Sequence, residues 1–157
     1  MAENTPAKML SGTTSTNGFS VHAKGTGVVT QSAGTLATPF FYLSSSSNTA
    51  GSGSFALSGT GSINATTFSA YGGTGSTFLQ NGANTSVHVG SITSGNNAGG
   101  DRWTYQLAAG TLTVDTSVSR VYGEWLFQQT GGTASVGTDL MMGTNYRSST
   151  LLDPMEW

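Results

Sequence analysis

The chain has 157 residues, and 22 Ser, 25 Thr and 23 Gly make up 70 of them, while five basic and seven acidic side chains carry all the formal charge. With a net charge of −2, no cysteine, and Lys8, Lys24, Arg102, Arg120 and Arg147 scattered along the sequence, the composition excludes a phosphate-neutralising patch, a disulfide scaffold, and a Cys-based metal site or nucleophile. No stretch approaches the roughly 20 apolar residues of a membrane-spanning helix. An ordinary soluble domain keeps about a quarter of its residues charged, because charge hydrates the surface and holds molecules apart. A surface of hydroxyls and backbone can instead hydrogen-bond to protein or sugar without the desolvation cost of burying ions. The composition therefore points to a protein covered by neighbours, as in an assembled particle or fibre.

Residues 1–17 are polar and without period, and they read as an N-terminal arm. They also lack the apolar core of a signal peptide, so the expectation is a chain that stays in the cytoplasm of the cell that makes it. Residues 18–144 form the expected domain. Apolar residues there fall in short runs of period two separated by Gly, Ser and Asn, the signature of half-buried strands. Phe19, Val21 and Ala23 share one parity, residues 40–43 are a compact apolar run, and Phe55 and Leu57 alternate with Ser54, Ala56 and Ser58. Residues 77–80, the dipeptide Asn81-Gly82 and residues 85–89 read as a hairpin, since Asn-Gly tolerates the positive φ of a tight turn. A second hairpin is expected from Trp103, Tyr105 and Leu107, a turn near Ala109-Gly110, and a return through Leu112, Val114 and Thr116. Val121, Gly123, Trp125 and Phe127 make a further alternating strand. No window carries an apolar helical stripe. Strand-like runs every 8 to 12 residues or so predict an all-β, antiparallel β-sandwich or jelly roll of about eight strands, in preference to a β-solenoid because no strict internal repeat stands out. Residues 145–157 read as an apolar C-terminal arm. Leu151, Leu152, Met155 and Trp157 are expected to dock on the chain's own domain or on a neighbouring subunit, as assembly contacts.

Candidate chemistry is thin. His88, between Val87 and Val89, and His22, between Val21 and Ala23, are expected to be exposed strand residues rather than catalytic or metal-binding ones. Asp115 and Glu124 could meet across strands as a glycosidase-type carboxylate pair, but an exposed carboxylate beside Arg120 is the simpler reading. The glycine-rich segments lack the lysine and the following helix of a phosphate loop. No catalytic residue, metal or cofactor is assigned, and the chain is read as no enzyme. Trp103 and Tyr105, on one strand face, suit either a stacking platform for a sugar ring or a place in the core.

A Met-Ala start, no signal, no cysteine, a Ser/Thr/Gly-rich β domain and terminal arms together resemble tailed-bacteriophage virion proteins, first the small capsid decoration or cement proteins, then tail-fibre modules. The resemblance covers the whole chain and lies in composition and architecture. It implies a β-rich subunit, commonly trimeric, that binds the major capsid protein and reinforces the shell, located in the virion, with itself and another virion protein as partners. The alternatives are a tail-fibre or receptor-binding module that recognises glycans, and a surface-filament subunit.

Overall fold

The computed structural model describes residues 8–21, 26–45, 52–71, 74–94, 102–120, 124–140 and 151–152. All the secondary structure there is β, and every pairing is parallel. The chain winds as a β-solenoid. This corrects the expected antiparallel sandwich or jelly roll.

Each coil contributes one strand to a first sheet, turns a corner, and contributes a second strand to the facing sheet. The first sheet stacks β1 (Lys8–Leu10), β4 (Thr26–Gln31), β6 (Ser52–Leu57), β8 (Thr74–Gln80), β10 (Arg102–Leu107), β13 (Glu124–Gln129) and β16 (Leu151–Leu152) in that order. The second is built on β5 (Thr35–Ser45), β7 (Ser62–Tyr71) and β9 (Ser86–Ser94). These three strands bend midway. In other coils the bend divides the strand in two: β2 (Thr14–Ser15) and β3 (Phe19–Ser20) lie on β5, while β11 (Thr111–Val114) and β12 (Ser117–Arg120) lie on β9. β14 (Thr133–Val136) and β15 (Asp139–Leu140) follow on β11 and β12. β1 and β2, within the residues 1–17 expected as an N-terminal arm, pair with β4 and β5 and with β3 make up the first coil.

The core is a set of columns running along the solenoid axis. Val29, Phe55, Phe78, Tyr105 and Phe127 occupy one register position in the first sheet. Phe19, Phe41, Phe68, Ile92, Val118 and Leu140 occupy one position in the second. Parallel strands lie about 4.8 Å apart, so like residues in register stack directly. Phe41 and Phe68 stack with centroids 4.8 Å apart, as do Phe78 and Tyr105, and Phe55 stacks on Phe78 within 3° of parallel. Between the sheets the rings meet edge to face, Phe41 on Phe55 and Phe68 on Phe78, both at 5.2 Å. Such contacts add about 0.5–1.5 kcal/mol each beyond the area they bury.

The corner column follows its own rule. Leu10, Gln31, Leu57, Gln80, Leu107 and Gln129 succeed one another at one register position, so Leu and Gln alternate from coil to coil. A corner bends the backbone away from ladder partners and leaves carbonyls that need donors. Each buried Gln amide supplies them. Gln31 Nε2 donates to Gly34 O (2.9 Å) and to Ser62 O in the next coil (3.0 Å). Gln80 Nε2 donates likewise to Thr111 O one coil on (3.1 Å) and to Thr85 Oγ1 (3.1 Å), while its Oε1 accepts from the Tyr105 hydroxyl (2.7 Å). The following corner needs Gly110 at φ 87°, a conformation that disfavours any side chain, with Thr85 and Gln80 packed where a Cβ would stand.

These corners also replace the two expected hairpins. β8 and β9 belong to different sheets, and the Asn81-Gly82 segment joins them without a positive φ at Gly82. That glycine is small because its neighbour in the stacked turn, Gly59, lies against it. In the same way β10 pairs with β8 and β13, and β11 with β9 and β14, so residues 103–107 and 112–116 do not pair with each other. Period-two alternation is identical in parallel and antiparallel strands, and strand direction is set by the corners.

Candidate binding site

Side chains that alternate with the core residues face outward and form columns of their own. Thr35, Ser62, Ser86, Thr111 and Thr133 share one position, each directly before a core residue (Leu36, Ile63, Val87, Leu112 or Ala134). Thr35 and Ser62 are joined through their hydroxyls at 2.7 Å. Two residues on, Ala37, Asn64, His88, Thr113 and Ser135 form the next column.

This second column borders an open trough at the bend of the second sheet, with a volume of about 560 Å3. Its walls come from five successive coils: Ser15, Thr16 and Asn17; Thr38 and Pro39; Asn64 and Thr66; His88; and Asp115. Because coils stack about 4.8 Å apart, the trough runs along the solenoid axis, across the strands. Asp115 sits in the bend between β11 and β12, held by its backbone N–H to Val89 O (2.9 Å). From there Oδ1 meets His88 Nε2 at 2.8 Å, with both side chains 54% exposed. At that exposure the pair adds little stability; its effect is to fix the imidazole's orientation. Amide, hydroxyl, imidazole and carboxylate groups thus line one face, an assortment suited to hydrogen-bonding a polyhydroxylated ligand.

Beside the trough, Phe40 and Tyr42 face outward while Phe41 and Leu43 fill the core. Phe40 is 45% exposed, and the two rings lie 12° from parallel at 6.1 Å. The bend that presents them is braced by Thr38, whose hydroxyl donates to Phe40 O (2.9 Å).

The residues singled out from the sequence are distributed differently. Trp103 and Tyr105 both lie inside the core, 4% and 0% exposed, Trp103 stacked between Phe68 and Trp125 and Tyr105 on Phe78. Of the two readings open for them, the core is the one they occupy, and neither offers a face to a sugar. Burial pushes the Tyr105 phenol well above its ordinary value. His88 is exposed on its strand, as expected, but it faces Asp115. Asp115 and Glu124 are not brought together: Glu124 is opposite Arg102 in the first sheet, and Asp115 lies in the bend of the second. Leu151 and Leu152 pair with Phe127 and Gln128 as β16, on the chain's own domain. His22, Met155 and Trp157 lie outside the described residues. Among the described residues no group of three or more His, Asp or Glu is placed to hold a metal.

The outward columns and the Phe40–Tyr42 pair escaped the sequence reading. The columns had a signal in the recurrence of a small residue, a hydroxyl and an aliphatic or Ala after each corner: Gly34-Thr35-Leu36, Gly61-Ser62-Ile63, Thr85-Ser86-Val87, Gly110-Thr111-Leu112 and Gly132-Thr133-Ala134. Compared with protein families, curated proteins and solved structures, the chain matches none.

Proposed function

We propose that this chain is a structural, non-enzymatic subunit of a virion particle, which decorates and reinforces a protein shell by binding the shell protein and further copies of itself. The observation that carries the reading is the end of the solenoid. There an apolar hollow of about 340 Å3 opens among Ile92, Val118, Trp125, Phe127, Val136 and Leu140, with Leu140 47% exposed. Beside it β14 and β15 each have one strand neighbour among the described residues. An apolar core end beside strand edges that are unpaired among the described residues is what solenoids cover with a cap or a partner, and a flank so poor in charge adds little repulsion to such contact. A symmetric homo-oligomer, trimeric by the resemblance described above, is the expected form.

The test is location and stoichiometry. Particles purified from the producing host should contain the chain at a copy number near that of the main shell protein, and Leu140→Glu should reduce its incorporation at least tenfold while the isolated protein stays folded. A monomer that joins no particle, or full incorporation of Leu140→Glu, overturns the reading.

A further inference from the structure

We propose that the trough and the Phe40–Tyr42 pair form one binding site for a neutral, linear glycan lying along the solenoid axis. The site does not depend on whether the chain decorates a shell.

Three observations carry it. The first is the direction and spacing of the polar groups. Five coils contribute to the trough, so its floor repeats about every 4.8 Å over roughly 19 Å. A chain of pyranose units presents hydroxyls at a comparable interval, and successive units can meet successive coils. Asn64 and His88 are register neighbours, one coil apart. Asp115 is one coil further on, and Ser15, Thr16 and Asn17 close the other end.

The second is the aromatic pair. A pyranose ring has an apolar face of C–H groups, and the Phe40 ring, 45% exposed and stacked against Tyr42, offers apolar surface for it. Phe40 directly follows Pro39 of the trough wall, and its register neighbours in the next two coils, Thr67 and Ser91, carry hydroxyls. Gly18 directly precedes Phe19, the register neighbour of Phe41, and a Cβ there would meet nothing within 4 Å among the described residues. The Thr38 hydroxyl braces the bend in advance, which lowers the ordering cost of binding.

The third is charge. Among the described residues that line the trough, Asp115 is the one carboxylate and none is a lysine or arginine. A uronate, a sulfated sugar or a phosphodiester would meet that carboxylate with no lysine or arginine among the described lining residues to offset it. A neutral chain would not, and the fixed Asp115 and His88 could accept from and donate to its hydroxyls.

The experiment uses the full 157-residue chain on a printed array holding neutral linear glycans (β-glucans, mannans, galactans and chitin oligosaccharides) and acidic ones (alginate, hyaluronan and heparin), with hits measured by calorimetry. The expected result is binding to at least one neutral glycan. It should be weakened tenfold or more by Phe40→Ala and by Asn64→Ala, and left unchanged by Thr30→Ala on the opposite sheet. All three side chains are at least partly exposed, and matched thermal unfolding of each variant would show that the fold is retained. Binding to no glycan, binding to acidic glycans alone, or binding indifferent to Phe40→Ala and Asn64→Ala overturns the proposal. A variant deficient here but normal in particle incorporation would separate this site from the assembly role.

Discussion

Replacing Gln80 by Leu tests the corner column most sharply, because Leu is what the adjacent coils carry at the same position, as Leu57 and Leu107. Shape is nearly conserved, so the cost comes from hydrogen bonds. The Tyr105 hydroxyl, on a side chain with 0% exposure, loses its acceptor, and a buried polar group left unpaired costs about 1–3 kcal/mol. The corner acceptors Thr111 O and Thr85 Oγ1 lose a donor, at about 0.5–1.5 kcal/mol for each net hydrogen bond. The added apolar burial of Leu returns about 1 kcal/mol. The balance is a loss of about 1–5 kcal/mol, and its midpoint of about 3 kcal/mol corresponds to a fall in Tm of about 6–12 °C for a chain of this length. Tyr105→Phe removes the orphaned hydroxyl, so the double variant should be more stable than Gln80→Leu alone by about 1–2 kcal/mol, a coupling readable in a double-mutant cycle by urea denaturation. A neutral or stabilising Gln80→Leu, or a cycle with no coupling, would refute the idea that the alternating glutamines hold the corners.

Two further outcomes follow from the same geometry. Gly110→Ala should cost more than about 2 kcal/mol, since φ 87° and the packed Thr85 and Gln80 both oppose a Cβ; Gly18→Ala, with open space around it, should stay within about 0.5 kcal/mol in the same denaturation assay. Alkali should unfold the protein through Tyr105. Its phenol is raised by burial above the unfolded value of 10.0, so below that pH both states keep the proton and stability is independent of this group. Above it the unfolded chain releases a proton that the folded chain retains, and stability falls by up to about 1.4 kcal/mol per pH unit. Absorbance at 295 nm should show this phenol ionising together with the loss of near-UV circular dichroism, and ionisation in a still-folded protein would contradict its burial.

Much of the local structure was legible in the sequence. The parity of Phe55 and Leu57, of Val87 and Val89 around His88, and of Trp103, Tyr105 and Leu107 all correspond to inward positions. What alternation does not encode is which strand lies alongside. Asn81-Gly82 has the composition of a hairpin turn, yet here glycine is demanded by the adjoining turn at Gly59. The repeat was hidden because coil lengths vary: successive members of the column Val29, Phe55, Phe78, Tyr105 and Phe127 are separated by unequal stretches, and the corner residue alternates between Gln and Leu. A search at constant spacing dissolves that pattern, whereas aligning the corners brings it out. The trough was illegible for a related reason, since Asn64, His88 and Asp115 come from three coils and meet only through parallel stacking.

The parallel winding itself is open to one direct measurement, aided by the absence of native cysteine. Ser54 and Thr77 are register neighbours with hydroxyls 2.8 Å apart, so the double variant Ser54→Cys with Thr77→Cys should close a disulfide under mild oxidation. Thr77→Cys with Ser86→Cys joins positions that a hairpin through Asn81-Gly82 would set opposite each other, and the solenoid places them in different sheets. The account predicts rapid closure of the first pair and none of the second in the folded protein; closure of the second without the first would contradict it.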